Sequence, residues 1–287
     1  GVDTLNQSLA ITVNAVNDLP IQNGRTPNPI SVLEDANNTS AVSLDMGGLA
    51  YGPGGGSDES GQTFTYTITS IPSFIGLYKA DGSSTVNANT SLTLSELQGL
   101  TYKTLPNANG SGNLTWTVQD SGGTANGGVD TLSQSLAITV TAVNDAPVQT
   151  GTAPTPISVN EDSANTSAVT LGLSGLAYGK GGSTDENSQT LTYTLTAIPS
   201  FISVFKSDGT TAVTANTTLT LSELQGLKYK TLPNANGSGN LTWTVQDSGG
   251  TANGGVDTLN QSLAITVNAV NDAPVASGSA SLTAVAE

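Results

Sequence analysis

The stretch Ala-Val-Asn-Asp at residues 15–18 returns at 142–145 and again at 269–272, and this spacing decides the architecture of the chain. Each step covers 127 residues, from 15 to 142 and from 142 to 269. Residues 20–146 align with 147–273 without a gap and differ at 32 positions. Self-similarity at a fixed period is the signature of a tandem array, so the chain carries two complete copies of one module.

The segments that flank these copies continue the same array. Residues 1–18 repeat 128–145 with two changes and are predicted to be the C-terminal strand of a preceding repeat. The remaining boundaries are predicted as follows: repeat 1 at 19–145, repeat 2 at 146–272, and the first strand of a following repeat at 273–287. Modules this similar in series favour a role in length, spacing or avidity over separate chemistries.

The composition excludes several classes of function. The chain has 22 acidic and 7 basic residues and a net charge of −15, which repels nucleic acid and anionic membranes and attracts cations. It contains no cysteine and no histidine, so it lacks thiolate and imidazole ligands as well as the usual catalytic triads. We therefore predict no enzymatic activity, no nucleic-acid partner and no membrane insertion.

Strand patterns dominate each repeat. Leu241, Trp243 and Val245 alternate with threonine and glutamine, a period of two that is typical of half-buried strands and places Trp116 and Trp243 in the core. The strands of repeat 2 are predicted at about 156–162, 167–178, 189–197, 201–206, 211–220, 227–231, 239–246 and 257–269. A short helical turn is predicted at 221–227. Many short strands with glycine-rich turns indicate an all-β fold of antiparallel β-sandwiches.

Acidic residues concentrate where these strands end. If the first strand of repeat 2 runs down, Glu161-Asp162 and Asn271-Asp272 reach its bottom end, while Asp185-Glu186 and Asp247 reach its top end. Repeat 1 has the same pattern, so each junction is predicted to gather acids from two repeats and the linker. The predicted metal ligands are Asp18, Glu34, Asp35, Asp58, Glu59, Asp120, Asn144, Asp145, Glu161, Asp162, Asp185, Glu186, Asp247 and Asp272. Asp257 and Glu96 are further candidates.

This set of side chains predicts calcium. Carboxylate and amide oxygens in groups of about six to eight are the ligands that Ca²⁺ prefers, whereas Mg²⁺ demands stricter geometry. Zn²⁺ and Cu²⁺ are disfavoured without histidine or cysteine. The alternative is that the acids are solvated residues that form turns.

The junction residues resemble those of cadherins. The sequence Ala-Val-Asn-Asp-Ala-Pro-Val at 142–148 resembles the cadherin linker motif, and Asn160-Glu161-Asp162 resembles the cadherin first-strand glutamate. Asp185-Glu186 falls where cadherins carry an acidic loop, and Asp247 resembles the aspartate before their last hairpin. The stretch 219–229, followed by Val-Gln-Asp and the next junction, looks like the cadherin-like tandem repeats of large bacterial RTX-type adhesins and surface proteins.

The resemblance implies a fold and a role. The fold would be tandem immunoglobulin- or cadherin-like β-sandwiches arranged end to end as a rod. The modules would be Ca²⁺-stabilised extenders that hold distal ligand-binding domains away from the cell, as in adhesion and biofilm formation. Their partners would be neighbouring repeats of the same chain, with a host or glycan ligand bound through other domains of a monomeric protein. The location would be extracellular, at the surface of a Gram-negative bacterium with type I secretion.

A carbohydrate- or protein-binding adhesion module is the alternative function. Such a module needs exposed aromatic rings, and the sequence leaves four aromatic residues open in this respect: Tyr51, Tyr78, Tyr178 and Phe205. A glycoside hydrolase is disfavoured, because the adjacent carboxylates of each acidic pair would point to opposite faces of an extended chain.

Overall fold

The fold was analysed in a computed structural model of the chain. The structure describes residues 1, 3–182, 184–275, 277–278, 281, 285 and 287. Internal contacts divide the chain into two compact units, Gly1–Val143 and Asn144–Glu287. This division lies two residues before the boundary expected after residue 145, because the Asn144-Asp145 pair hydrogen-bonds to loops of the second unit.

Unit 1 consists of short strands that form a large sheet, a small sheet and one separate strand pair. Its elements are β1 (Ile21–Gln22), β2 (Ile30–Leu33), β3 (Val42–Ser43), β4 (Tyr51–Gly52), β5 (Phe64–Ser70), β6 (Ile75–Tyr78), β7 (Ser91–Leu92), α1 (Leu94–Gln98), β8 (Thr101–Thr104), β9 (Gly110–Asp120) and β10 (Thr131–Thr141). The large sheet has the order β2-β10-β9-β5-β7, the small sheet has the order β3-β8-β6, and β1 pairs with β4.

Unit 2 repeats this plan. Its elements are β11 (Val148–Gln149), β12 (Ile157–Asn160), β13 (Val169–Thr170), β14 (Tyr178–Gly179), β15 (Leu191–Ala197), β16 (Ile202–Phe205), β17 (Ala212–Val213), β18 (Thr217–Leu219), α2 (Leu221–Gln225), β19 (Lys228–Thr231), β20 (Gly237–Asp247) and β21 (Thr258–Asn268). The large sheet runs β12-β21-β20-β15-β18, the small sheet runs β13-β19-β16-β17, and β11 pairs with β14. The all-β fold of two tandem units agrees with the sequence prediction.

The core of each unit lies between the large and the small sheet. In unit 1, Trp116 of the large sheet and Tyr102 of the small sheet belong to one buried cluster. Trp116 and Trp243 are each only 1% exposed, which confirms that the tryptophans are core residues. Each indole Nε1 donates to a tyrosine hydroxyl, Trp116 to Tyr51 at 3.1 Å and Trp243 to Tyr178 at 3.0 Å, so the polar atom of the ring is satisfied inside the core.

The second and last strands of each unit run in the same direction. β2 pairs with β10 in parallel, and β12 pairs in the same way with β21. The alternation of residues predicts wholly antiparallel sheets, and for the large sheets this prediction is wrong. One parallel pair closes an edge of each large sheet. This pairing places the ends of both strands at the bottom end of the unit, as the predicted strand directions require.

Two predicted strands of unit 2 are interrupted. The strand expected at 167–178 is split into β13 and β14, since Gly172 adopts a left-handed φ of 70° and Leu171, Leu173 and Leu176 turn into the core. The strand expected at 211–220 is split into β17 in the small sheet and β18 in the large sheet. Asn216, with φ 66°, bends the chain between them, and a left-handed turn is favourable for glycine and asparagine.

The helical turn predicted at 221–227 is confirmed as α2, and its counterpart in unit 1 is α1. Each begins with a capping box, in which Thr93 or Thr220 exchanges hydrogen bonds with Glu96 or Glu223 three residues later. This exchange satisfies donors that a helix start leaves free. In the described part of the chain, no helix has the length and apolar character that crossing a bilayer requires.

The flanking segments differ from their internal counterparts. No strand is formed by the described residues 1 and 3–20, although 131–141 of almost the same sequence forms β10. Leu9 is 86% exposed, whereas its counterpart Leu136 is 2% exposed. The described residues 273–275, 277–278, 281, 285 and 287 form no strand, and the rest of the strand predicted at 273–287 lies outside the described residues.

Candidate metal centre

At the top end of unit 1, two loops meet around the junction pair Asn17-Asp18. The Asn17 side-chain amide donates to Asp120 Oδ1 at 3.0 Å and to the Val129 carbonyl at 2.8 Å. The Asp18 backbone N–H donates to Glu59 Oε1 at 2.6 Å. The junction pair therefore connects the loop after β4 with the loop between β9 and β10, and it hydrogen-bonds to one acidic side chain of each.

Unit 2 builds the same arrangement. The Asn144 side-chain amide donates to Asp247 Oδ1 at 3.0 Å and to the Val256 carbonyl at 2.8 Å. The Asp145 backbone N–H donates to Glu186 Oε1 at 2.6 Å. We call these residues the top cluster, which consists of Asn17, Asp18, Glu59 and Asp120 in unit 1 and of Asn144, Asp145, Glu186 and Asp247 in unit 2.

Two carboxylates of each top cluster are buried, and at least one buried oxygen in each unit lacks a donor among the described residues. Glu59 and Asp120 are 3% and 5% exposed, and Glu186 and Asp247 are 2% and 6% exposed. Among the described residues, no hydrogen-bond donor reaches Asp120 Oδ2, Asp247 Oδ2 or Glu186 Oε2. A buried polar atom without a partner costs about 1–3 kcal/mol, and more when it is charged. These oxygens therefore require a donor or a cation.

A cavity of about 170 Å³ lies beside the top cluster of unit 1. Its walls include Asn17, Asp58, Glu59 and Gln62. Gln62 donates to Asn17 Oδ1 at 2.5 Å, while its own buried Oε1 meets no donor in the described part of the molecule. The same holds for Gln189 in unit 2. The cavity thus combines free space with one buried oxygen, Gln62 Oε1, that lacks a donor among the described residues.

The bottom end of unit 1 also holds a buried glutamate, and both of its oxygens have protein donors, as do those of Glu59 at the top end. Glu34 is buried and accepts the Val143 backbone N–H at 2.5 Å on one oxygen and the Asn109 amide at 3.1 Å on the other. In unit 2, Glu161 accepts the Val270 N–H at 2.6 Å and the Asn236 amide at 3.2 Å. Each glutamate fastens the end of the last strand to the loop before β9 or β20.

The bottom aspartates shape a turn. Asp35 and Asp162 adopt φ values of 60° and 61°, in the left-handed region that aspartate tolerates better than most residues. Asp35 Oδ1 accepts the Asn107 backbone N–H at 3.1 Å, and Asp162 Oδ1 accepts the Asn234 N–H at 3.3 Å. The contacts of Asp35 and Asp162 are therefore those of residues that form turns, which was the alternative to a metal-binding role.

The other predicted ligands lie on the surface. Asp58 and Asp185 belong to the 3-10 turns Ser57–Glu59 and Thr184–Ser188, and both are exposed, as are Asp18 and Asp272. Within the described residues, no three acidic side chains form a group that could hold a metal ion by themselves. A cation at the top cluster would therefore need amide, carbonyl or water oxygens in addition to the carboxylates.

The two further candidates belong to other local networks. Glu96 accepts the Thr93 backbone N–H and pairs with Lys79 at 2.9 Å, and these contacts lower its pKa to about 2. Asp257 accepts the Gln246 amide at 2.9 Å and the Thr258 hydroxyl at 2.7 Å. The first of these hydrogen bonds is the larger reason why the pKa of Asp257 is lowered.

The set of predicted ligands omitted Asn17 and the glutamines Gln62 and Gln189. Asn17 stands in the repeated junction motif, so its equivalence to Asn144 was available from the sequence. Gln62 follows the buried Glu59 by three residues, and Gln189 follows the buried Glu186 by three residues. A glutamine at this position also suits an ordinary polar loop. Its recurrence in both repeats is therefore the one sequence signal that points to a role at the site.

The top cluster fits a calcium ion in its chemistry. The available donors are carboxylate and amide oxygens, which hard cations prefer. At least one buried carboxylate oxygen in each unit lacks a protein donor within the described residues. The cluster supplies no nitrogen or sulfur ligand, which disfavours zinc and copper.

Comparisons with known proteins give a likeness of fold. No protein-family model matches the chain, and no curated protein matches it. Mouse protocadherin-24 EC1–3 is 13% identical over 88% of this chain and 72% of that chain, with a TM-score of 0.36. Human mucin-like protocadherin EC1–2 is 13% identical over 88% of this chain and 98% of that chain, with a TM-score of 0.29.

A third similar structure is Drosophila N-cadherin EC1–4, which is 13% identical over 89% of this chain and 51% of that chain, with a TM-score of 0.23. All three similar structures are of cadherins or protocadherins, and their TM-scores are low, from 0.23 to 0.36.

Proposed function

We propose that the chain is a Ca²⁺-stabilised extender module of a secreted or cell-surface adhesion protein. The observation that carries this proposal is the buried carboxylate oxygen of Asp120, repeated at Asp247, which meets no protein donor in the described residues. A bound cation would remove the cost of that oxygen. Because the same arrangement occurs in both units, the ion site is part of the repeated design.

Calcium suits this position better than other divalent ions. It accepts six to eight oxygen ligands in flexible geometry and tolerates carbonyl and amide oxygens beside carboxylates. The net charge of −15 adds a long-range attraction for any cation. An ion that binds the folded state alone stabilises it by about 2.7 kcal/mol at a hundredfold excess over its Kd.

The wider role follows from repetition. Near-identical modules in series provide length, and we propose that the array holds distal binding domains away from the cell as a monomeric rod. Neighbouring repeats would be its partners, with a host or glycan ligand bound elsewhere in the protein. That the bottom acids Glu34 and Asp35 join the ion set of the linker remains a sequence prediction, as do secretion by a type I system and an origin in a Gram-negative bacterium.

A thermal melt tests the proposal. The chain would be melted in millimolar Ca²⁺, in excess EGTA, and in millimolar Mg²⁺ after chelation. We expect EGTA to lower the melting temperature, Ca²⁺ to restore it, and Mg²⁺ to restore much less. Identical melts in all three conditions would reject the calcium site and leave the top acids as residues that form loops.

Small-angle scattering tests the extender role separately. If Ca²⁺ stiffens the array, the maximum dimension should be larger and better defined with Ca²⁺ than with EGTA. A Ca²⁺-dependent melt without any change in scattering would keep the ion site and reject the stiffening.

A further inference from the structure

The basic residues of this acidic chain are unevenly distributed. Five of its seven bases are lysines that lie in or directly after strands of the small sheets, namely Lys79, Lys103, Lys206, Lys228 and Lys230. The other two are Arg25 and Lys180. The small sheets are therefore the places where a chain of net charge −15 can attract an anion.

An aromatic ring accompanies a lysine on each small sheet. The Lys103 Nζ lies 5.1 Å from the ring centre of Tyr78, and the Lys230 Nζ lies 5.3 Å from the ring centre of Phe205. These are cation–π distances. Because the pair recurs in both units, we name the two pairs the lysine–aromatic patches.

The patches face outward. In β6 and β8, the buried residues alternate with half-buried ones, and Gly76, Tyr78 and Lys103 are half-buried. Gly76 stands directly opposite Lys103 in the antiparallel register. A Cβ on Gly76 would lie 2.9 Å from the Tyr78 hydroxyl, so the tyrosine ring lies across the strand at the position where a side chain is missing.

A cavity of about 300 Å³ adjoins the patch of unit 1. Tyr78 and Gly76 line it together with polar residues of the neighbouring loops, Ser73, Thr85 and Asn87. The rest of its lining is apolar and includes Ile71, Pro72 and Val86, so the cavity combines an aromatic ring, apolar side chains and a few hydroxyl and amide groups, as ligand pockets usually do.

The lysines of the small sheets differ in their available charge. Lys79 and Lys206 are paired with Glu96 at 2.9 Å and with Glu223 at 2.8 Å. In the part of the chain that the structure describes, Lys103 and Lys230 form no ion pair. The ammonium group beside each ring therefore remains available to an anionic ligand.

We propose that the lysine–aromatic patches bind an acidic saccharide, that is, a sugar ring with a carboxylate. In unit 1, the C–H face of the sugar would stack on Tyr78, the carboxylate would pair with Lys103, and the hydroxyls would meet the polar residues of the cavity. In unit 2, the sugar would stack on Phe205 and its carboxylate would pair with Lys230. A densely charged nucleic acid is disfavoured, because the acidic remainder of the chain repels it. This binding would be an activity of the module itself and does not depend on the calcium proposal.

Calorimetric titration with an oligogalacturonide tests the proposal, with a neutral dextran oligosaccharide as the control ligand. K103Q/K230Q removes both patch charges, and R25Q/K180Q removes two charges elsewhere. We expect wild type and R25Q/K180Q to bind the uronide, and K103Q/K230Q to bind roughly two- to fivefold more weakly, in line with exposed ion pairs. All titrations would be run at one fixed Ca²⁺ concentration.

Three results would overturn the proposal. They are the absence of heat with millimolar oligogalacturonide, equal weakening in both double variants, and equal binding of the neutral sugar. Sedimentation in the same samples adds a fourth, because a concentration-dependent dimer that R25Q/K180Q retains and K103Q/K230Q loses would assign the patches to a second copy of the chain. Circular dichroism melts of each variant would verify that it is folded.

Discussion

The two ends of unit 2 treat their buried acids in opposite ways. At the bottom end, both oxygens of Glu161 accept hydrogen bonds, one from a backbone N–H and one from an amide. At the top end, Asp247 has one oxygen fully engaged and another buried oxygen that no donor reaches among the described residues. Unit 1 shows the same contrast between Glu34 and Asp120.

The difference shows that burial of an acid is not by itself a sign of a metal. A carboxylate whose oxygens all have donors is a strong structural link and gains little from a cation. A carboxylate with an unsatisfied oxygen is costly until an ion or donor arrives. We therefore expect the top end to respond to calcium and the bottom end to determine the calcium-free stability.

The largest expected effect belongs to Asp247. D247N retains an Oδ1 that can accept from Asn144 and Gly249 but removes the charge of the unsatisfied oxygen. We expect loss of the Ca²⁺-dependent stabilisation of unit 2, about 2.7 kcal/mol at a hundredfold excess over the Kd. Urea unfolding with Ca²⁺ and with EGTA measures this difference.

D247N should not lose stability in EGTA, since it replaces a buried unpaired charge by a neutral amide. A D247N variant that is equally destabilised with and without Ca²⁺ would show that Asp247 acts only through its hydrogen bonds.

At the bottom end, E161A should destabilise unit 2 by about 1–3 kcal/mol, because it strands the Val270 N–H and the Asn236 amide. Urea unfolding should give the same loss in Ca²⁺ and in EGTA. A loss that appears only with Ca²⁺ would mean that Glu161 is a metal ligand, as the sequence predicted, and would remove the distinction between the two ends.

Between the two ends, Tyr178 provides a core reference. Y178F removes the acceptor of the Trp243 indole N–H and should cost about 1–3 kcal/mol, because it strands a buried donor. Since this pair lies in the core, the loss should be independent of Ca²⁺ in equilibrium unfolding. A Ca²⁺-dependent loss would indicate that the ion site and the core are coupled.

The smallest expected effect is the pH response of Glu223, an acidic residue that belongs to neither end of unit 2. The pKa of Glu223 is lowered to about 2, first by the Lys206 ammonium and then by the Thr220 backbone N–H. A depressed pKa contributes stability above the unfolded value of about 4.3, and this contribution is lost as the pH falls towards 2. In EGTA, the melting temperature should fall less in E223Q than in wild type between about pH 5, just above the unfolded pKa, and about pH 2, the folded pKa. Equal slopes would show that the ion pair is screened by solvent.

Strand directions and the repeated junction motif predicted which acids lie at each end of a unit, because β-strand order and hydrophobic alternation depend on local patterns. Alternation could not predict the parallel pairing of β12 with β21, which depends on contacts between residues far apart in sequence. It also could not distinguish Glu161 from Asp247, since this difference depends on donors such as Asn236, 75 residues away from Glu161.

Residues 3–14 and 130–141 show that the sequence pattern alone does not determine whether a strand forms. Their sequences are almost identical, yet 131–141 is a strand of the large sheet and 3–14 is not. Leu136 is buried because β9 and β2 pair with β10 on both sides. Among the described residues, no strand pairs with 3–14 in the way that β9 pairs with β10, so the pattern predicts a strand that only tertiary pairing creates.

The most direct test of the central claim is a calorimetric Ca²⁺ titration of wild type, D120N/D247N and D35N/D162N. The two double variants remove the same charge, one pair at the top ends and the other at the bottom turns, where asparagine suits a left-handed φ. We predict that D120N/D247N weakens Ca²⁺ binding about tenfold or more, a loss of about 1.4 kcal/mol per site, and that D35N/D162N weakens it much less. Undiminished binding by D120N/D247N, or no Ca²⁺ binding by wild type, would contradict the assignment of the top cluster as the calcium site.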